Sequence, residues 1–175
     1  EYLQDFARFA YLTGWRKGEI ASLTWADVDL HGKAIRLRPE FSKNAQGRVI
    51  AIEGYLDTIM ARRIEARAVP ASEMTTLSEF VFHHRGKRIG DFRKGWFTAF
   101  DRARVPYRHF HDLRRSAVRN MIRAGVPQVV AMSISGHKTT SIFNRYNIVS
   151  LEDQREAHAK VEEHLNAQRE RVAQP

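Results

Sequence analysis

HDLRRSAVRNMIRAGVPQVVAMSISGHKTTSIFNRY, residues 111–146, holds three helical stretches separated by two glycine stops and ends on a tyrosine. A helix beginning near Asp112 turns Leu113, Ala117, Met121 and Ile122 to one side and leaves Arg115, Arg119 and Arg123 to other faces, as an amphipathic helix does. Ala124 and Gly125 stop it. Pro127 opens the next helix at a position where its missing N–H costs nothing, and that helix ends near Gly136. A shorter third helix carries Tyr146. His111 and Arg114 stand three apart at a helix start, so their side chains share a face and can address one ligand together.

Working outward, the 3.6-residue pattern recurs. Residues 1–12 place Leu3, Phe6, Phe9 and Ala10 on one helical face, and Gly14 suits the stop; Arg16 follows in TGWRKGEIASL. A short second helix runs through Ile20 and Leu23 to Trp25, and Asp27 and Asp29 punctuate the approach to a strand. That strand alternates Ile35 and Leu37 with Arg36 and Arg38, and residues 49–52 read as its return partner. Asn44 and Gly47 of the intervening FSKNAQG are turn residues, which puts Lys43 at the edge of a β-hairpin. Leu56, Ile59, Met60 and Ile64 predict a helix over 53–69, ended by Pro70 and a polar surface loop through Ser78. A brief apolar run at 80–82 precedes a helix with Phe92, Trp96, Ala99 and Phe100 on one side, ended by Pro106. The tail from residue 151 is polar, with Leu151, His158, Val161 and Leu165 on one stripe. The expected fold class is mainly α with a small antiparallel β-sheet.

The 175 residues suffice for one domain with a substantial core, and the 43% hydrophobic content is ordinary for a globular chain. The first residue is Glu1 and Arg16 lies close behind it, so a further DNA-binding domain is expected upstream of a catalytic domain that spans 1–175, tail 151–175 included. Lys and Arg outnumber Asp and Glu by 29 to 20, and the excess is one block. Residues 85–123 hold twelve basic side chains against Asp91, Asp101 and Asp112, while the rest of the chain is balanced. Such a block is the footprint of a polyanion, most often nucleic acid, because neutralised phosphates release their counterions. The absence of cysteine excludes disulfides and thiolate metal sites. With no apolar run long enough to span a membrane and no signal-peptide pattern, the expectation is a cytoplasmic, nucleoid-associated protein without membrane contact.

A phosphodiester is a poor electrophile because its anionic oxygens repel nucleophiles. A catalyst must neutralise the charge that grows on them, and arginine does so with a planar, permanently charged fork. Arg16 and Arg114, from distant parts of the sequence, are the candidates for one phosphate, although singly each reads as an ordinary surface or salt-bridging residue. Tyr146 is the candidate nucleophile. With an ordinary pKa near ~10 it needs a base or a cationic field, which the neighbouring cluster supplies. Metal readings of His109 with His111, or of His83 with His84, lack a completing cysteine, HExxH pair or carboxylate cluster, so neither a metal nor a cofactor is expected.

The chain resembles the catalytic domain of the tyrosine recombinases, the phage integrase family. The resemblance rests on TGWRKGEIASLTWADVD, on Lys43 in the hairpin, on HDLRR and on GHKTTSIFNRY, in the family's order and spacing from about residue 10 to 147. Each motif alone is weak, and the set is specific.

The resemblance implies that Arg16 and Arg114 clamp the scissile phosphate, that Lys43 is the general acid toward the departing 5′-hydroxyl, and that Tyr146 attacks to form a 3′-phosphotyrosine. It further implies that His111 helps take the tyrosine proton, that His137 hydrogen-bonds a non-bridging oxygen, and that Glu19 orients the site. Arg48 or Lys33 takes the lysine's place if the hairpin register shifts. Ser135, where leucine is commoner before the glycine, is expected to affect packing more than chemistry. The implied activity is site-specific cleavage and rejoining of double-stranded DNA by a tetramer, with accessory DNA-bending proteins as expected partners. Two alternatives stand beside it: a type IB topoisomerase, which relaxes supercoils without synapsis, and a non-catalytic regulator that uses residues 119–135 as a helix-turn-helix. Against the latter, a binding module needs no tyrosine at that spacing.

Overall fold

Phe6, Phe9 and Ala10 recur along one side of helix α1 (Tyr2–Thr13) and are fully buried, so this helix forms the centre of the larger core. The computed structural model describes residues 2–42, 45–71, 74–145 and 149–173. Phe6 packs against the rings of Phe82, Phe92 and Phe110, and Phe9 meets Trp15 and Phe82 edge-on. These are the offset and edge geometries that aromatic quadrupoles favour. Gly14, at φ 69°, ends α1 in the left-handed region. A Cβ there would lie 3.3 Å from the Cβ atoms of both Ala117 and Ser135, so the glycine also permits a close approach of backbone to helix.

A single turn, α2 (Lys17–Ala21), leads into a three-stranded antiparallel sheet of β1 (Val28–Asp29), β2 (Ala34–Leu37) and β3 (Arg48–Ala51) in that order. Ile35 faces Ile50 across the ladder, and buried Ile35, Leu37 and Ile50 alternate with exposed Arg36 and Val49. This is the expected hairpin, covered on its apolar face by the α1 core.

Helix α3 (Tyr55–Glu65) is shorter than the helix expected over 53–69. Its continuation is a strand, β4 (Ala68–Ala71), paired antiparallel with β5 (Met74–Leu77), where a surface loop was expected. Every β5 residue is exposed, so no apolar alternation marked it; backbone pairing alone makes this hairpin. Ile64, expected to face inward, is likewise exposed. A further two-residue hairpin pairs β6 (His83–His84) with β7 (Lys87–Arg88).

The remainder is helical: α4 (Arg93–Ala103), α5 (Asp112–Arg123), α6 (Gln128–Ser135), α7 (Thr140–Asn144) and α8 (Leu151–Ala173). Helix α5 packs on α1 and α6, and Val118, Ala131 and Phe143 from α5, α6 and α7 form a second small core. Gly125 and Gly136, both at positive φ, follow the ends of α5 and α6 as read from the sequence. Helix α8 begins with a reciprocal cap, in which Ser150 N–H donates to the Asp153 carboxylate and Asp153 N–H to the Ser150 hydroxyl. Leu151, Val161 and Leu165 remain exposed along it. Among the described residues no helix is long and apolar enough to cross a membrane.

Candidate active site

Arg114 sits in the first turn of α5 with only 2% of its surface exposed. Its Nη1 donates to the carbonyl oxygens of Gly14 and Ser135, and its Nη2 to Nε2 of His137 at 3.1 Å. One guanidinium therefore ties together the end of α1, the start of α5 and the end of α6. Burying a cation is costly unless each N–H finds an acceptor. Among the described residues these acceptors are neutral, so they hold the fork in place without cancelling its charge.

Arg16 stands immediately before α2. The Glu19 carboxylate, one turn later, accepts from the Arg16 backbone N–H and from its Nη1, both at 2.8 Å. The other side of that carboxylate is occupied by Arg48, the first residue of β3, whose Nη2 lies 2.5 Å from Glu19 Oε2. Arg48 is held over the buried indole of Trp15, 4.6 Å from the ring centroid, while Trp15 Nε1 donates to the carbonyl of Ile134 in α6. A Cβ on Gly136 would collide with the Arg48 guanidinium, so the glycine is needed for this approach as well as for its backbone angle. Burial alone would raise the pKa of Glu19; the adjacent Arg48 and the hydrogen bonds from both arginines outweigh it and hold the carboxyl below its ordinary range. Three guanidiniums and one carboxylate leave this cluster formally doubly positive.

His137 follows α6 and is pushed down to about 3 by burial first and then by the positive charges of Arg114, Arg16 and Arg48. It is a neutral imidazole at physiological pH. His111, exposed just before α5, is also lowered, by desolvation and then by Arg114, Arg16 and Arg115, with Asp112 opposing. A neutral imidazole beside a cationic field can accept a proton, which a base requires.

Arg16, Glu19, His111, Arg114 and His137 therefore share one electrostatic neighbourhood, although more than 100 residues separate its ends. Arg48 belongs to it too, as the ion-pair partner of Glu19. Lys33 instead pairs with Asp57 of α3 at 3.4 Å. Lys43 and Tyr146 lie outside the described residues. His83 accepts a turn hydrogen bond from Gly86, His84 stacks on Tyr2, and His109 packs edge-on against Tyr107. Among the described residues no three His, Asp or Glu are grouped to hold a metal ion. Ser135, expected to affect packing rather than chemistry, is fully buried and hydrogen-bonded to Nδ1 of His137 at 2.7 Å. That role was illegible in the sequence because a serine two residues from a histidine has no regular geometry until the helix end sets it.

Beside α5 opens a cleft of about 900 Å³ whose lining includes Arg108, Arg115, Arg119 and Arg145 with the rings of Trp96 and Phe100. Three of those arginines come from the basic block at 85–123. A groove lined by one sign of charge concentrates a polyanion of the opposite sign.

The Phage integrase family matches this chain over residues 2–152. The Escherichia coli shufflon-specific DNA recombinase is 32% identical over 135 residues, 77% of this chain and 31% of that protein. The integrase of Salmonella phage P22 is 25% identical over 83% of this chain and 39% of its own length. The chain thus spans between about a third and two-fifths of these relatives. Among solved structures, XerA recombinase superposes with a TM-score of 0.67 at 19% identity, covering 91% of this chain and 62% of that one. A lambda integrase dimer bound to a COC′ core site gives 0.67 at 16% identity, covering 87% and 43%.

Proposed function

Because this chain belongs to the phage integrase family, matched over residues 2–152, we propose that it is the catalytic domain of a site-specific DNA recombinase. The observation that supports this most is the convergence of Arg16, Arg114, His111 and His137, with Arg48 and Glu19, on one doubly positive site. The reaction is a transesterification. The Tyr146 hydroxyl attacks the scissile phosphorus and gives up its proton, His111 accepting it; the bond to the 5′-oxygen breaks, and Lys43 protonates that oxygen. A 3′-phosphotyrosine results, which conserves the ester, so the 5′-hydroxyl of a second strand can reverse the step without ATP or metal. Arg16 and Arg114 neutralise the non-bridging oxygens as charge grows on them, and His137 donates to one of them. Glu19 holds Arg16 in position.

The full protein in this reading carries an upstream DNA-binding domain, works as a tetramer on double-stranded DNA with accessory DNA-bending proteins, and resides at the nucleoid. Helix α8, exposed along its apolar positions, docks on a neighbouring protomer and couples cleavage to assembly. A topoisomerase would share the chemistry but would relax supercoils as a lone subunit. A non-catalytic regulator would have no use for the buried Arg114 and His137 pair.

The test is a nicked attachment-site duplex that traps the covalent intermediate. Wild-type protein should give a protein–DNA adduct on a denaturing gel in the presence of EDTA, and Tyr146→Phe should give none while binding DNA with nearly the same affinity. An adduct from Tyr146→Phe would move the nucleophile elsewhere, and loss of cleavage in EDTA would sink the metal-free mechanism.

A further inference from the structure

Ser135 has two short hydrogen bonds and no contact with solvent. Its Oγ lies 2.7 Å from the carbonyl oxygen of Ala131, one helical turn back, and 2.7 Å from Nδ1 of His137. A carbonyl only accepts, so the serine proton points at Ala131. An arginine only donates, so Nε2 of His137 accepts from Arg114 Nη2. Each bond then holds one proton if, and only if, the imidazole proton is on Nδ1 and donates to the serine oxygen. Among the described residues the chain from Arg114 to His137 to Ser135 to the Ala131 carbonyl is directional.

From this geometry we infer that Ser135 is a positioning residue that, together with Arg114, fixes the tautomer of His137, with Nδ1 protonated and held by the serine oxygen and Nε2 an acceptor facing Arg114. An imidazole free in water favours the opposite tautomer, so the preference needs a cause: the Arg114 donor at Nε2 and the serine oxygen at Nδ1 supply it together. The low basicity of His137 supports a neutral ring that must choose one tautomer. A leucine at 135 would offer Nδ1 nothing. The consequence for the site is that the free protein uses His137 to aim the Arg114 fork. Once a phosphate engages that fork, the serine hydroxyl can turn from Ala131 to donate to Nδ1. The ring, its proton exchanged through solvent, then presents Nε2–H to the phosphate oxygen. A hydroxyl, both donor and acceptor, permits both states.

The assignment of the tautomer stands on the free protein, while its use in catalysis rests on the recombinase reading above. The experiment is nitrogen NMR of the full chain labelled with 15N-histidine, with His137→Gln to identify the His137 resonances by their loss. The wild type should show a protonated Nδ1 and an unprotonated Nε2, unchanged from pH 5 to 8. Ser135→Ala leaves Arg114 at Nε2 but removes the acceptor for Nδ1–H, so the ring should shift part of the way toward Nε2–H, and Ser135→Thr should restore the wild-type pattern. A wild-type ring protonated at Nε2, or an Ala variant with unchanged nitrogen shifts, would overturn the inference. In cleavage assays Ser135→Ala should lower kcat roughly 10-fold with KM for DNA unchanged, the loss of one orienting hydrogen bond. Equal kcat in wild type and the alanine variant would remove the catalytic use. A wild type that shows the Nδ1–H tautomer but cleaves no attachment-site DNA would count against the recombinase reading and leave the tautomer assignment intact.

Discussion

Replacing Glu19 with Gln keeps its shape and removes its charge from between two guanidiniums. In the folded protein Glu19 is 2% exposed and Arg48 nearly as buried, while Arg16 keeps about a quarter of its side-chain surface. With charge centres ~4 Å apart and an effective dielectric constant of ~20, each attraction is about 4 kcal/mol before desolvation is subtracted. Removing one partner of a buried pair leaves uncompensated charge and costs about 3–5 kcal/mol, a large share of the roughly 5–15 kcal/mol that holds a domain folded. The Tm of Glu19→Gln should therefore fall by roughly 10 °C for a chain of this size. The acid dependence should change as well. Glu19 is lowered in the folded state, so its contribution is complete above the ordinary glutamate value of 4.5 and is lost as pH falls through the depressed folded one. Urea titrations between pH 7 and pH 3 should show the wild type converging on Glu19→Gln at the acid end. A Tm within about 2 °C of wild type, equivalent to about 1 kcal/mol or less, or a difference independent of pH, would refute the claim that this carboxylate organises the two arginines.

Lys43→Ala should slow cleavage of ordinary DNA, because the poor 5′-alkoxide then leaves unprotonated, and should spare a substrate with sulfur at that bridging position. Equal slowing on both substrates would direct the general-acid assignment to another residue. Truncation after Ser150 removes α8, whose link to the domain among the described residues includes the partly exposed Arg123–Asp153 pair at 3.0 Å. Such surface pairs contribute about 0–1 kcal/mol, so thermal unfolding should shift little while synaptic complexes weaken on native gels. A truncated protein that assembles and recombines normally would refute docking between protomers.

Local periodicity carried much of the architecture. The spacing of Phe6, Phe9 and Ala10, the glycine stops at 14, 125 and 136, and the alternation through Ile35, Leu37 and Ile50 are short-range patterns. A chain expresses them through backbone sterics and one-sided burial wherever it lies. The β4–β5 hairpin escaped because exposed strands on a surface ribbon need no apolar alternation, and α3 ended early for the same want of a buried face beyond Glu65. Residue types and order were enough to single out Arg16, Glu19, His111, Arg114 and His137 as candidates. Their partners were another matter. The acceptors of Arg114 include the carbonyls of Gly14 and Ser135, and every residue has a carbonyl, so no sequence pattern marks the two that matter. Arg48 reads from the sequence as an alternative to Lys43, and its pairing with Glu19, 29 positions away, appears only once β3 brings it across Trp15. The tautomer of His137 depends on which hydrogen-bonding group stands at each ring nitrogen. Only the meeting of α5 with the end of α6 puts Arg114 at one and Ser135 at the other, because hydrogen bonds act over about 3 Å while the sequence separations they bridge follow no local rule.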